Sequence, residues 1–179
     1  MKHRQSLETE LKLRVPSLAA LPDLLRALGF AEVQPEAEEE SVLWDRADAL
    51  RDAGSALRVR AYAGRTLLTF KGPKVPDPQF KIRPEHETEV ADREALDAIL
   101  RGLGFAPVLR MVKRRALWRR EELEACLDRT PFGDFLELEG DPDAIKLALQ
   151  GLGLDASRAE PRSYPTLYRA AGLGAVTAP

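Results

Sequence analysis

Between Leu7 and Val15 the chain alternates with a period of two. Leu7, Thr9, Leu11, Leu13 and Val15 fall on one side and Glu8, Glu10, Lys12 and Arg14 on the other, the pattern of a β-strand with one apolar face. The same sorting predicts strands over residues 31–44, 56–63, 66–71, 80–90, 106–119, 122–128 and 135–139. Apolar spacing near three to four residues predicts amphipathic helices near 18–28, 92–103 and 141–152, and a short one around 164–171. Asp92 and Asp141 stand where N-caps belong, and Gly29, Gly104 and Gly153 where αL C-caps belong. Hairpin turns are expected at Ala63-Gly64-Arg65 and at 119–121, and a Pro-rich loop at 72–78.

Three segments repeat one plan, a strand with paired glutamates, a turn, and a helix ending in Leu-Gly. The pairs are Glu8-x-Glu10, Glu87-x-Glu89 and Glu137-x-Glu139. The predicted strands carry their charges mostly on one face. Arg58 and Arg60 lie together, as do Thr69 and Lys71, and Lys81, Arg83, Glu85, Glu87 and Glu89 form one row. Glu122, Glu124, Cys126 and Asp128 form another, whereas Lys113 and Arg115 sit on a less regular strand.

The apolar faces need cover, and amphipathic helices are available to give it. The expected fold is therefore α+β, an eight-stranded antiparallel closed β-barrel with helices packed outside and charged faces inside. Such a lumen must be wet or filled, because unpaired buried ions cost several kcal/mol each. Glutamate and aspartate suit hard cations such as Mg²⁺ or Mn²⁺, and arginine and lysine suit phosphate oxygens. The alternative, a flat sheet with helices on one side and solvent on the other, gives the same alternation. It explains six strands of paired like charges less well.

The 179 residues are read as a single domain over 1–179, with a core from about 7 to 170 and a frayed tail from 173. A net charge of −2 gives no basic excess, so no nucleic-acid partner is expected. One cysteine, Cys126, suits a reducing compartment, and it reads as a packing residue rather than a nucleophile. The polar start Met1-Lys2-His3-Arg4-Gln5 and the short apolar runs predict no signal peptide, no membrane partner and a cytoplasmic location. No Walker A loop is present. The acidic run 36–40 reads as a solvated strand edge, and His3 and His86 as bystanders. Trp44, Tyr62, Trp118, Phe132 and Tyr164 are candidate mouth aromatics, with no adenine pocket assignable from them.

Several of these segments fall in a familiar order: Glu8-x-Glu10-x-Lys12, Ala56-Leu57-Arg58-Val59-Arg60, Phe70-Lys71-Gly72-Pro73, Arg83-Pro84-Glu85-His86-Glu87-Thr88-Glu89-Val90, Lys113-Arg114-Arg115, Cys126-Leu127-Asp128 and Gly133-Asp134-Phe135-Leu136-Glu137-Leu138-Glu139. Together with Ser163-Tyr164-x-x-Leu167 they resemble the CYTH, or triphosphate tunnel metalloenzyme, superfamily from about Leu7 to Tyr168. The resemblance implies a tunnel that binds a triphosphate-containing small molecule with Mg²⁺ or Mn²⁺. Carried onto this chain, Glu8, Glu10, Asp128, Glu137 and Glu139 would ligate metal. Lys12, Arg58, Arg60, Lys71, Arg83, Lys113 and Arg115 would hold phosphate. The catalytic set would be Glu8, Glu10 and Lys12 with Glu87 and Glu89, the last two orienting the bases or the attacking water. The family includes class IV adenylate cyclases, thiamine triphosphatases and inorganic triphosphatases. Hydrolysis is the less demanding reaction and is favoured, with cyclisation of ATP and non-catalytic polyphosphate binding as alternatives. Homodimerisation is left open.

Overall fold

The computed structural model describes residues 6–176. His3 and the last three residues of the expected tail lie outside them. Eight strands, β1 (Ser6–Val15), β2 (Ala31–Asp45), β3 (Ala56–Tyr62), β4 (Arg65–Lys71), β5 (Lys81–Glu89), β6 (Ala106–Arg120), β7 (Leu123–Thr130) and β8 (Gly133–Glu139), form a closed antiparallel barrel. Their order around it is β1-β5-β4-β3-β2-β6-β7-β8. Helices α1 (Leu21–Ala27), α3 (Arg93–Gly102) and α4 (Pro142–Gly151) cover its outside. The alternating pattern thus resolves as expected, helices outside and most charges inside.

Local chemistry sets the joints. Asp92 accepts from the Ala95 N–H and Asp141 from the Asp143 and Ala144 N–H groups, capping α3 and α4. The β3–β4 hairpin has positive φ at Ala63 (50°) and Gly64 (75°), the geometry a tight two-residue turn needs.

The main core lies between barrel and helices. Leu11, Leu13, Leu136 and Leu138 meet Leu25, Ile145 and Leu149 of α1 and α4, while Val42, Trp44 and Val59 meet Leu100 of α3. Burying each such side chain contributes about 1.5–3 kcal/mol. Trp44 and Trp118 both belong to this outer core, which removes them as mouth aromatics.

Two elements lack a periodic signal in the sequence, the one-turn helix α2 (Ala49–Asp52) and a 3-10 turn at Ala156–Arg158. The last helix, α5 (Tyr164–Ala170), does more than cover an outer face. Tyr168 packs with Leu43, Leu109 and Met111, flanked by Phe132 and Tyr164, so α5 closes over part of the barrel. Past it, the Arg110 N–H donates to the Gly174 carbonyl, docking the chain on β6 as far as that residue. No helix among the described residues is long and apolar enough to cross a membrane.

Candidate active site

The barrel encloses a cavity of about 940 Å³. Antiparallel register decides which charges share it. Glu8 stands opposite Arg83, Glu10 opposite Lys81 and Glu139, and Lys12 opposite Glu137. Across the wall Lys71 faces Glu85, Glu39 faces Lys113, and Arg115 faces Asp128.

One part of the wall is rich in acids. The Lys71 ammonium lies 2.6 and 2.7 Å from the two oxygens of Glu8 and 2.7 Å from Glu85 Oε2, and the Lys81 ammonium lies 2.6 Å from Glu10 Oε1. Three carboxylate oxygens therefore converge on one cation. Glu8 and Glu85 thus crowd against each other around the same ammonium. Burial and that contact push the Glu8 pKa up to about 9, while Glu85 is held low against its own burial by Glu8 and Lys71. Burial also raises Glu10, but Lys81, Lys71 and Lys12 outweigh it and keep Glu10 ionised. Glu139 is pushed up to about 7 by burial and by Glu85, Glu124 and Glu10, although it keeps a solvent-accessible surface that tempers the shift.

The donor set tests the fit of a divalent cation. It is all carboxylate oxygen, and it already gathers round an ammonium. It fits a hard cation. Among the described residues no three His, Cys, Asp or Glu side chains converge at ligating distance, so binding one needs side-chain adjustment around Lys71 and Lys81.

The other part of the wall is basic. Arg58, Arg60, Lys113 and Arg115 surround Glu39, with Lys113, Arg60 and Arg115 at 3.6–3.7 Å from its carboxylate. The Nε groups of Arg58 and Arg60 are buried without a hydrogen-bond partner. Arg60 Nη2 reaches Glu87 at 2.9 Å, and Thr69 donates to the same oxygen, so Glu87 orients this arginine.

Not every expected residue is presented to the cavity. Asp128, expected as a metal ligand, is 0% exposed and accepts from Arg115 on both oxygens, from Lys113 at 2.9 Å and from Tyr164 at 2.6 Å. Its acceptors are spent on holding those bases in place, and the basic groups keep its pKa low despite burial. Lys12 is buried to 3% beneath Tyr164, with its ammonium 4.3 Å from the ring centroid and 3.8 Å from Glu137. Arg83 gives its guanidinium to the backbone carbonyls of Gly72, Lys71 and Gly54. Glu89 closes β5 at the rim, where its half-exposed side chain (54%) pairs with Arg65, and it does not line the cavity. Glu137 takes a 2.5 Å hydrogen bond from Arg115.

Sequence reading missed three wall residues as candidates. Glu85 and Lys81 share the correct strand face and needed only their parity. Glu39 was assigned to a solvated edge, yet it is 2% exposed. The run 36–40 hides an alternation, because Glu36 and Glu40 bond outward to Arg114 and Arg110 while Glu39 turns in. Cys126 is buried, and burial pushes its thiol pKa up, in keeping with a packing role. His86 is exposed and stacks on Phe70.

Comparison with known proteins agrees with this architecture. The CYTH domain matches residues 6–164. MJ0240 of Methanocaldococcus jannaschii, which its name assigns provisionally to the adenylate cyclases, is 32% identical over 134 residues, 74% of this chain and 76% of its own. A Vibrio parahaemolyticus protein with the same provisional assignment superposes with a TM-score of 0.79 at 22% identity, covering 92% of this chain and 98% of that one. HpAC1 from Hippeastrum, assigned to the adenylyl cyclases and described as having a dominant triphosphatase activity, superposes at 0.64 with 23% identity, covering 92% and 96%. A closed eight-stranded barrel with this wall, matched along most of its length, places the chain in the CYTH domain family.

Proposed function

We propose that the protein is a divalent-metal-dependent triphosphatase that removes the terminal phosphate from a linear triphosphate, inorganic, nucleoside or thiamine-linked, held in the barrel. The observation that carries this reading is the division of the wall. Carboxyl groups gather at Glu8, Glu10, Glu85 and Glu139, beside a basic part with Arg58 and Arg60 Nε donors lacking acceptors. Phosphate oxygens would satisfy those donors, and buried donors are costly to leave unmet.

Glu8, Glu10, Glu137 and Glu139 would hold Mg²⁺ or Mn²⁺, with Glu85 beside them. When bound, the cation supplies neutralisation of phosphate charge and a lowered pKa for the attacking water. The chain's own residues do the rest. Arg58, Arg60, Lys113 and Arg115 bind the equatorial oxygens and hold the phosphate chain in line, and they are preorganised by Glu87 and Asp128. Lys71 and Lys81 bring further positive charge beside the carboxylates. Enclosure by the barrel limits bulk water.

The second reading is a class IV adenylate cyclase, favoured by the name of the 32% identical MJ0240. Cyclisation needs a site for adenine. Of the candidate aromatics, Trp44 and Trp118 are in the outer core, Phe132 packs edge-on against Phe135 and Tyr168, and the Tyr164 ring contacts the Lys12 and Lys113 ammonium groups. Tyr62 remains, with its hydroxyl bonded to the Arg115 carbonyl at 2.9 Å. No adenine site is assignable from these five residues, and hydrolysis, which needs none, is preferred.

The test is incubation with Mg²⁺ or Mn²⁺ and, separately, ATP, inorganic triphosphate and thiamine triphosphate, with chromatographic resolution of products. Orthophosphate without cyclic AMP is expected. Cyclic AMP with pyrophosphate would replace this reading by the cyclase, and metal-dependent stabilisation without turnover would replace it by a binding module.

A further inference from the structure

Glu39 lies in the middle of the basic wall, and its bonding is incomplete. Oε1 takes a long 3.3 Å hydrogen bond from Ser41, and Oε2 has no hydrogen-bond partner. Lys113 stands 3.6 Å from Oε1, and Arg60 and Arg115 stand 3.7 Å from Oε2. These cations spend their short hydrogen bonds elsewhere: Arg60 on Glu87, Lys113 on Asp128, and Arg115 on Asp128 and Glu137. Arg58 adds positive charge to the same surroundings, and its own contacts are long, 3.5 Å to Thr69 and 3.8 Å to Glu87. Glu39 is thus held by surrounding charge, with hydrogen-bonding capacity to spare, among the groups assigned above to phosphate.

We propose that Glu39 is a resident counter-anion of the basic wall, a positioning residue that competes with bound polyphosphate for Arg60, Lys113 and Arg115 and so limits how tightly the site holds its anion. The inference rests on the triphosphate reading above. A fixed negative charge at 3.6–3.7 Å keeps like-charged side chains together. It also lowers the net potential that a phosphate meets, and Coulomb energy at that range is large in a partly enclosed site. The consequence is faster release of phosphate-bearing product at the expense of ground-state affinity.

The experiment is calorimetric titration of inorganic triphosphate into the full chain in EDTA, where turnover is suppressed. Wild type is compared with Glu39→Gln, and Glu39→Asp with Glu39→Asn. Glu39→Gln should bind about tenfold more tightly, with a steeper loss of affinity as salt rises. Glu39→Asn should bind more tightly than the equally sized Glu39→Asp, and this pair decides the matter if Glu39→Gln does not fold. A merely structural glutamate predicts the opposite sign, since disorder among the cations weakens binding. Affinity in Glu39→Gln equal to or below wild type, with a cooperative unfolding transition retained, overturns the proposal. If wild type binds only with Mg²⁺ present, the same pairs are compared there; absence of triphosphate binding under both conditions removes the triphosphate reading itself, and this inference with it.

Discussion

Tyr164 donates a 2.6 Å hydrogen bond from its hydroxyl to Oδ2 of Asp128, tying the last helix to the barrel wall. Two ammonium groups lie against its ring, Lys12 at 4.3 Å and Lys113 at 4.2 Å from the centroid. Tyr164→Phe keeps the ring and removes the bond to a buried carboxylate. It should cost about 1.5–3 kcal/mol, read by chemical denaturation. Unchanged stability would show that the contact contributes nothing.

Glu10→Gln, and Glu137→Gln combined with Glu139→Gln, should each lower phosphate release at least about hundredfold, because every carboxylate removed weakens cation binding. Circular dichroism should show the barrel intact. Full turnover in the folded double variant would sink the assignment.

Cation addition should raise Tm as well as activity. At a hundred times its dissociation constant a ligand that binds only the folded state adds about 2.7 kcal/mol. The increment should appear with Mg²⁺ or Mn²⁺, vanish with EDTA and be reduced in Glu8→Gln.

Arg83 should behave differently from Arg58. Its guanidinium ties Gly72, Lys71 and Gly54 together by their carbonyls. Arg83→Met should lower stability by about 2 kcal/mol or more and speed proteolysis in the loop at 72–78. Arg58→Met should mainly raise KM. Equal effects on KM with no loss of stability in Arg83→Met would place Arg83 among the phosphate ligands.

Acid should destabilise the protein through Glu39. Burial raises its pKa, but Lys113, Arg115, Arg60 and Arg58 prevail and hold it at about 2, below the ordinary 4.5. A depressed folded-state pKa contributes stability above pH 4.5, and that contribution is lost as pH falls towards 2. Tm measured across this window should fall less steeply in Glu39→Gln than in wild type. Parallel curves would contradict the assignment.

Much of this site could be read along the chain because β-strands alternate. Once Leu11 and Leu13 are placed in the core, Glu8, Glu10 and Lys12 must face the other way, and likewise for Arg58 with Arg60 and for Glu137 with Glu139. Where alternation is masked, reading fails. The run at 36–40 is uniformly polar apart from Ala37, so only the pairing of β2 between β3 and β6 shows that Glu39 alone turns fully inward. The 3-10 turn and α2 are too short to carry a period.

The sequence by itself determined the strands, the capped helices, the inward charged face and the family to which the chain is similar, because these depend on spacing within a few residues. Only the tertiary structure decided which charges meet. Lys71 and Glu8 are 63 residues apart, and barrel closure brings them to 2.6 Å. The same closure leaves Asp128 saturated by Arg115, Lys113 and Tyr164, and Glu39 without a full set of partners. A residue's type and parity specify which way its charge points, but its partners depend on long-range register and on what the last helix covers.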